Sequence, residues 1–480
     1  MHHIIKNPDS TYNQYTANMQ HITEPSYKSP IGARYKASIL SKLWSNDSKI
    51  IKMRYLWLNL AIYQKELGIT VITDEGIEQM RGELHNIDYN KIDEYESRLK
   101  HDIVAHISAF GDICPKAKPF IHLGATSNFI NDNVDMCIIK ESLSVIIDIT
   151  KKLFATLEKK SFVEAHIPTL AYTHLQQAQL ITIGKRFTMW NADIAMDLET
   201  LARLMPTLPF RGLKGTVGTE DTILKLFDGD HEACDALNTK LANAYGFVKP
   251  LNICGQTYSR KYDVIVFSVM SGICQSIYKM MNDIRLLSGN GEMFEAFGDA
   301  QVGSSAMPYK KNPITCEKIC SLCRYVITQE SAMTQTYMNQ WLERSLDDSA
   351  IKRIIYPECF MLLEHILEET NKCINELVID YTVIDIRVSQ HMHNVITEDL
   401  ILNGVKMGYE RIDIHERIRS ILTKPMKSYE EDNKFDLDKI KAIFGSDEVI
   451  SSIIEKYNVS MNPNNYIGRC VEQIEKFYCK

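Results

Sequence analysis

Three long stretches of the chain place apolar residues at intervals of three and four, and this periodicity constrains the fold more than any other feature. The stretches span residues 139–157, 183–205 and 266–287. Such spacing aligns the apolar side chains along one stripe of an α-helix. Helices of about twenty residues bury such stripes most simply against one another, so a bundle of long helices is predicted.

Two further long helices are predicted downstream. One follows Pro313, a residue type favoured in the first turn of a helix. The other runs from about Ser349 to Val378, with Pro357 near its start or at a kink. Strand signals are few, and residues 208–220 are expected to form a short hairpin or a loop because their glycines interrupt any helix. The predicted fold class is all-α, with a central bundle of long helices.

The bundle divides the chain of 480 residues into three predicted domains. An N-terminal helical domain covers residues 1–126, of which 1–25 are polar and expected to be loose. The central bundle covers 127–379, and a C-terminal domain of shorter helices covers 380–480. A chain of this length accommodates the division, since domains typically have roughly 100–200 residues.

The composition disfavours several classes of function. The net charge of −7 argues against a nucleic-acid binder, although it permits a local basic pocket for a phosphorylated small molecule. No stretch approaches the ~20 apolar residues of a membrane span. The first residues lack the apolar core of a secretory signal, and no arginine precedes Arg34, so a mitochondrial presequence is not expected. Most of the 12 cysteines are therefore interpreted as reduced thiols of a cytoplasmic protein.

The segment SGNGEMFEAFGDAQVGSSAMPYKKNP (288–313) joins two predicted helices and is longer than a bundle loop requires. It combines four glycines with the hydroxyl of Ser304, the cation of Lys310 and the amide of Asn312. A pliable loop of this composition suits a lid over an anionic substrate, although composition alone favours a solvated linker equally. The Walker pattern is absent and residues 289–294 break G-x-G-x-x-G, so no ATP or NAD site is predicted.

Polar side chains also group where other predicted helices begin or end. SRLKHDIVAHISAFG contains His101, HLGATSN forms a turn, and AYTHLQQAQLITIGKR contains His174. A lone histidine is more often structural than catalytic, but bundle proteins build their sites where helices converge. In QWLERSLDDSAIKR, Arg344, Ser349 and Arg353 suit a phosphate, whereas the two aspartates favour an ion-paired helix surface.

A metal site is not predicted. His415 and Glu416 lack the second histidine of H-E-x-x-H. Cys316, Cys320 and Cys323 share a helix face, but no second C-x-x-C pair or other partner set answers them. We expect these thiols to pack as small apolar groups.

Together these stretches resemble the fumarase/aspartase superfamily. GSSAMPYKKNP matches the signature G-S-S-x-M-P-x-K-x-N-P at every fixed position. Within the superfamily the nearer likeness is to the adenylosuccinate lyases of the animal type. It runs from about Ser29 to the C-terminus and is carried, in order, by SPIGARYKAS, KHDIVAHISAFGDICPKA, IHLGATS, THLQQAQLITIGKR, FRGLKGTVGT, GQTYSRKYD, QWLERSLDDSA and NNYIGRC.

The resemblance implies a three-domain, mostly helical fold and a homotetramer with a twenty-helix core, in which each active site draws residues from three subunits. The implied reaction is β-elimination of fumarate from adenylosuccinate, giving AMP, and from succinyl-aminoimidazole-carboxamide ribotide, giving AICAR, in purine nucleotide biosynthesis. A base removes the proton beside a carboxylate, the carbanion is delocalised as an aci-carboxylate, and an acid protonates the departing nitrogen. No metal or organic cofactor is implied.

The resemblance also assigns roles at matching positions. Ser304 matches the base on the mobile loop, and a closed loop with Lys310 nearby would lower the pKa of its hydroxyl. His174 matches the general acid, and His101 would lie close by to orient the substrate or His174. Lys310 and Asn312 would hold a succinyl carboxylate.

Further residues are implied to bind the nucleotide substrate. Lys100 and Lys318 stand where arginine is expected, and Gln177 replaces a proline. Lysine keeps the charge but loses a two-pronged contact, so binding strength is expected to differ. The phosphate and nearby groups would contact Arg34, Tyr35, Arg344, Ser349 and Arg353, other polar atoms would contact Thr126, Ser127, Thr173 and Gln256, and the ribose would face Asp102.

Two alternatives remain open at this point. Another lyase of the superfamily, such as argininosuccinate lyase, would share Ser304, Lys310 and Asn312 but would need no phosphate site. A non-catalytic helical scaffold is less consistent with the joint retention of Ser304, His174 and Lys310.

Overall fold

The computed structural model describes residues 28–298, 300–423 and 437–479, and the prediction that residues 1–25 are loose lies outside them. The N-terminal part is built mainly from short helices around one longer helix. Its helices are α1 (Pro30–Ala33), α2 (Leu40–Leu43), α3 (Asn46–Glu66), α4 (Asp74–Gly82), α5 (Tyr89–Leu99) and α6 (Asp102–Ile113).

The middle of the chain forms the predicted bundle. Five long helices pack side by side: α7 on α8 and α13, and α12 on α11 and α13. All five predicted long helices are therefore confirmed. The helices of this part are α7 (Ser127–Val163), α8 (Ile183–Leu204), α9 (Asp221–Leu226), α10 (His231–Ala244), α11 (Lys261–Gly289), α12 (Ile314–Met338) and α13 (Asp347–Asn375), with a 3-10 turn at Met205–Thr207.

The helix ends follow local chemistry. The Thr126 side chain accepts a hydrogen bond from the Asn128 N–H and thereby caps α7. Helix α12 starts directly after Pro313, as predicted, whereas Pro357 lies inside α13 rather than at its start. The first residue of α7 is also the first residue of the predicted central domain, although the boundaries of the three domains remain predictions.

Shorter helices form the C-terminal part. The first of them, α14, packs against both strands of a hairpin that precedes α8. The helices are α14 (Tyr381–Val395), α15 (Thr397–Lys406), α16 (Arg411–Leu422), α17 (Leu437–Phe444), α18 (Glu448–Tyr457) and α19 (Cys470–Tyr478), with a 3-10 turn at Pro463–Tyr466.

Two small antiparallel sheets interrupt the helical architecture. Strand β1 (Pro168–Thr173) pairs with β2 (Gln176–Thr182), and β3 (Met293–Phe294) pairs with β4 (Val378–Ile379). The first hairpin was not predicted, because its turn lacks the glycine or asparagine of common two-residue turns. Residues 208–220, for which a hairpin or a loop was expected, form a loop.

One helix of the described residues, α11, is long and apolar enough to cross a membrane when judged by length and composition alone. Its most apolar stretch has a mean hydropathy of 1.4, and 56% of that stretch is buried inside the chain. The expectation that no stretch approaches a membrane span was too strict. Contacts of α11 with α8 and α12 give it the character of a core helix.

The cysteines of α12 are buried, as predicted. Cys316, Cys320 and Cys323 are each at most 1% exposed. The expectation that nothing answers them was wrong for Cys316, whose Sγ lies 3.9 Å from that of Cys373. The carboxylate of Glu295 lies beside these two thiols, and one of its oxygens and the two sulfur atoms lie within 4.8 Å of one another. Its two oxygens accept hydrogen bonds from the first N–H groups of α12, so the carboxylate serves as a helix cap.

Candidate active site

A cavity of about 900 Å³ lies where α6, α7 and α13 begin. Helix N-termini carry partial positive charge and unpaired N–H groups, which favour an anion. The cavity brings together nine of the residues predicted to form a site. They are Lys100, His101, Asp102, Thr126, Ser127, Gln256, Arg344, Ser349 and Arg353.

His101 and its neighbours hold fixed positions at one wall of this cavity. Lys100 adopts a left-handed backbone conformation (φ 53°), which turns the chain sharply between α5 and α6. His101 then caps α6, with its Nδ1 accepting from the Val104 N–H, and its Nε2 lies 3.4 Å from the Ser127 hydroxyl oxygen. This arrangement places the imidazole and a hydroxyl beside each other at the start of two helices.

The opposite wall carries the cationic side chains. Arg353 donates to the Asp102 carboxylate at 3.1 Å, so the α13 wall contacts the α6 wall directly. Arg344 donates to Asp348 at 2.7 Å and is only 20% exposed. Arg344, Ser349 and Arg353 therefore lie together at the start of α13, the arrangement expected for a phosphate site.

A buried ionic network beneath this wall was not predicted. Arg260 donates to Asp348 at 2.6 Å and to Asp132 at 2.9 Å, and all three side chains are at most 3% exposed. Burial disfavours the charged form of Asp348, but the nearby cations Arg260, Lys352 and Arg344 outweigh it and lower the pKa of this carboxyl. The alternative of a surface ion-pair helix is thus wrong for Asp348.

Lys352 extends the network towards α11. It donates to the Tyr258 hydroxyl at 2.8 Å and lies 3.7 Å from the Asp263 carboxylate. Burial, and then the charge of Asp263, raises the pKa of Tyr258, so the phenol stays neutral. The sequence contained one usable signal for Tyr258 and Asp263, the string GQTYSRKYD, which runs into the start of the apolar helix α11.

The signature loop, residues 288–313, does not line this cavity with any residue that the structure describes. The hydroxyl oxygen of Ser304 accepts hydrogen bonds from the N–H groups of Ala306 at 3.3 Å and Met307 at 3.1 Å. Hydrogen bonds to an oxygen favour its negatively charged form, which suits a hydroxyl that must act as a base. Gly303 is required here, because a Cβ at this position would lie 2.0 Å from the Lys310 carbonyl oxygen. Asn312 closes the turn by donating to the Gly303 carbonyl at 2.9 Å.

Within one chain the C-terminal end of this loop lies far from the cavity. Cys316, directly after the loop, contacts Cys373 near the end of α13. Ser349 lies near the start of the same helix, and 24 residues of helix between Ser349 and Cys373 span about 36 Å. The end of the loop and the cavity residues therefore lie towards opposite ends of α13.

His174 lies in a third place, at the tip of the β1–β2 hairpin. His174 and Leu175 form its two-residue turn, both with positive φ (54° and 60°). The side chains of Thr173 and His174 are exposed, so the hairpin presents both to the outside of the chain. Gln177, which stands where a proline was expected, is also exposed on this tip.

The three remaining predicted residues also lie away from the cavity. Arg34 is exposed at the end of α1. Tyr35 packs its ring against that of His365 with centroids 5.5 Å apart, and Lys318 pairs with Glu369 at 2.5 Å. His365 and Glu369 lie 16 and 20 residues beyond Ser349 on α13, or about 24 and 30 Å along the helix.

Comparison with known proteins places this chain. A lyase family matches residues 42–328. Adenylosuccinate lyase of Saccharomyces cerevisiae is 38% identical over 456 residues, which cover 95% of this chain and 94% of the relative. The chain belongs to the adenylosuccinate lyase family. Adenylosuccinate lyase of Schistosoma mansoni is 37% identical and covers 94% of each chain. The resemblance drawn from the sequence is thus confirmed.

Two solved structures of other proteins are similar to this chain in fold. The 3-carboxy-cis,cis-muconate lactonizing enzyme of Pseudomonas putida matches with a TM-score of 0.78 at 19% identity, over 93% of this chain and 97% of the other. A fumarate lyase of a Mesorhizobium species matches with a TM-score of 0.77 at 16% identity, over 91% and 96%. The predicted mostly helical fold class is confirmed.

Proposed function

We propose that the chain is an adenylosuccinate lyase that releases fumarate from adenylosuccinate and from succinyl-aminoimidazole-carboxamide ribotide, and that it acts in purine nucleotide biosynthesis in the cytoplasm. One observation carries the proposal beyond family membership. Arg344, Ser349 and Arg353 lie together beside three helix N-termini, an arrangement that suits the phosphate shared by both substrates. A superfamily lyase acting on a phosphate-free substrate would not need it.

The proposed chemistry assigns a separate role to each of the three groups of residues. Ser304, whose oxygen already accepts two backbone N–H bonds, takes the proton beside the carboxylate. Lys310 and Asn312 hold a succinyl carboxylate and stabilise the charge that develops on it. His174 protonates the departing nitrogen, and His101 orients the substrate. One proton leaves carbon for Ser304 and one passes from His174 to nitrogen, while a C–H and a C–N bond break and the C=C bond of fumarate forms, so these steps require no external oxidant or reductant.

The proposal needs residues from several subunits, because in one chain the signature loop ends beside the far end of α13, about 36 Å from the cavity end of that helix. The bundle offers surface for assembly. Large apolar side chains on three of its helices are more than half exposed in the single chain, and such patches typically mark protein contacts. They include Met189 and Met196 on α8, Leu286 on α11 and Met338 on α12. We propose a homotetramer with each site shared by three subunits.

The function is tested by incubating the purified protein with adenylosuccinate and following the ultraviolet change as AMP forms. We expect turnover of adenylosuccinate and none of argininosuccinate. Turnover of argininosuccinate alone would favour the other lyase, and no turnover of either by a folded protein would favour a scaffold.

Subunit sharing predicts that two inactive variants restore each other. When His174→Ala and Ser304→Ala subunits are mixed equally and reassembled, about a quarter of the sites should receive both intact groups if these come from different chains. Steady-state activity of the mixture measures this fraction.

A mixture of either variant with the His174→Ala/Ser304→Ala double variant is the matched control and should stay inactive. If the single variants exchange subunits, as shown by co-purification of a tagged form, yet gain no activity, subunit sharing between these two groups is excluded.

A further inference from the structure

A buried carboxylate, Glu292, stands at the root of the signature loop, directly after α11. It is 1% exposed and meets side chains from three other elements. Tyr172 of β1 donates its hydroxyl proton to Oε1, and Thr169 of the same strand lies 3.4 Å from Oε2. Arg186 of α8 and Arg387 of α14 lie 3.9 and 3.3 Å from its oxygens. Glu292 thus joins the loop root to the hairpin that carries His174.

The β1–β2 ladder alone does not set the direction of the hairpin tip. Pairing is regular from Pro168 to Leu170, but an irregularity separates Leu170 from Tyr172. Only the pairs of Tyr172 and Thr173 lie beyond it, before the turn. Bulges of this kind bend a strand and re-aim the side chains that follow. The tip therefore depends on contacts other than its own backbone pairing.

The turn at the tip is also conformationally demanding. His174 and Leu175 both have positive φ, a conformation that favours glycine and asparagine. Leu175 is 72% exposed, so its own packing does not hold this conformation within the chain. Strained turns of this kind persist only where neighbouring contacts determine the backbone.

Tyr172 supplies such a contact two residues before His174. Its hydroxyl donates to Glu292 and accepts from Arg387 Nη2 at 3.2 Å. Burial, and then the hydrogen bond to Glu292, raises the pKa of Tyr172, so the phenol keeps the proton that it donates.

Glu292 itself is fixed in place. Its carbonyl oxygen accepts from the Asp380 N–H at 3.0 Å, and the next two residues pair with β4. The nearby Arg186 Nη1 and Arg387 Nε are buried and have no hydrogen-bond partner in the described part of the chain, so the charge of Glu292 compensates them.

We propose that Tyr172 and Glu292 form a positioning pair that aims His174. The pair does not touch the reacting atoms. This proposal rests on the proposed function only through the role of His174 as the general acid. Glu292 also lies where the signature loop begins. A single buried carboxylate therefore fixes, within each chain, both the turn that carries His174 and the start of the loop that carries Ser304.

The first test is Tyr172→Phe, which removes the hydroxyl and keeps the ring. We expect kcat for adenylosuccinate to fall about 10- to 100-fold, because small misplacements of a catalytic group have effects of this size. KM should change less than about threefold, since the substrate contacts remain. Tyr325→Phe is the matched control, because it removes another Tyr–Glu hydrogen bond, of 2.9 Å to Glu358. It should leave kcat within about twofold.

The second test separates positioning from general disruption. In a His174→Ala background, Tyr172→Phe should reduce kcat no further, because the group it positions is already absent. Glu292→Gln should reproduce the loss of kcat and also lower the melting temperature, since two arginines lose their carboxylate. An unchanged kcat for Tyr172→Phe, or an equal further loss in the His174→Ala background, would overturn the proposal.

A third readout does not depend on activity. Crystal structures of the wild-type protein and of Tyr172→Phe should differ at residues 174–175, with the variant turn leaving its positive φ values or losing order. An unchanged turn in the variant would refute the positioning pair even if adenylosuccinate proved not to be the substrate. If the wild type does not turn over adenylosuccinate while the turn does change, the proposed function fails and the positioning pair stands.

Discussion

Replacing Ser304 by alanine is expected to lower the rate of fumarate release by about 10³-fold, within the range typical of removing a general base. Among the residues that the structure describes, the hydroxyl oxygen of Ser304 accepts only local N–H bonds, from Ala306 and Met307, on an exposed loop. Water can replace it there, so the free energy of unfolding should change by less than about 0.5 kcal/mol. Single-turnover kinetics with adenylosuccinate and thermal denaturation followed by circular dichroism measure the two effects.

The neighbouring hydroxyl provides the control for this prediction. Ser305 is exposed and belongs to the same signature, and Ser305→Ala should keep activity within about tenfold of the wild type. If Ser304→Ala kept the wild-type rate, or if Ser305→Ala alone were inactive, the base would have to be assigned to another group. A loss of folding in Ser304→Ala would contradict the local character of its hydrogen bonds.

Replacing Arg260 by methionine is expected to have the largest effect on stability. The change leaves Asp132 and Asp348 buried without their shared cation, and breaking a buried pair in this way typically costs about 3–5 kcal/mol. The thermal midpoint should fall by many degrees. Arg203→Ala, at a side chain 82% exposed, should leave the midpoint unchanged and is the matched control.

The buried ionic network also makes the stability of the fold depend on pH in the acid range. The pKa of Asp348 is lowered from its ordinary value of 3.8, so its contribution to stability is complete above that value and is lost as the pH falls through the lower, folded-state pKa. Adding Asp132→Asn to Arg260→Met should recover part of the lost midpoint, because Asp132 then carries no uncompensated charge while Asp348 keeps its pair with Arg344. A midpoint for Arg260→Met equal to that of the wild type would show that the network does not stabilise the fold.

Much of the cavity followed from the sequence, but the network beneath it did not. His101, Ser127 and Ser349 lie at helix starts, and polar residues before an apolar run mark such starts in a sequence. Arg260 and Asp132 are 128 positions apart, and each alone resembles an ordinary surface charge. Only the packed structure shows that they are buried together, because burial of a charge depends on partners that the local sequence does not specify.

The β1–β2 hairpin likewise could not be predicted from the local sequence. Common two-residue turns are announced by glycine or asparagine, and the turn at His174 and Leu175 has neither. Its conformation is supported by Tyr172 and Glu292, which lie 120 positions apart. Side-chain contacts of the tertiary structure therefore overrode the local preference of the backbone.

The sequence by itself determined the long helices, the signature loop and the identities of the residues proposed for proton transfer, because helical periodicity and short motifs depend on neighbours along the chain. The tertiary structure decided where these residues lie. It gathered nine of the predicted site residues in one cavity, placed His174 on a hairpin turn, and set the end of the signature loop about 36 Å along α13 from that cavity. Periodicity shows which face of a helix is buried, but only packing determines which other face covers it.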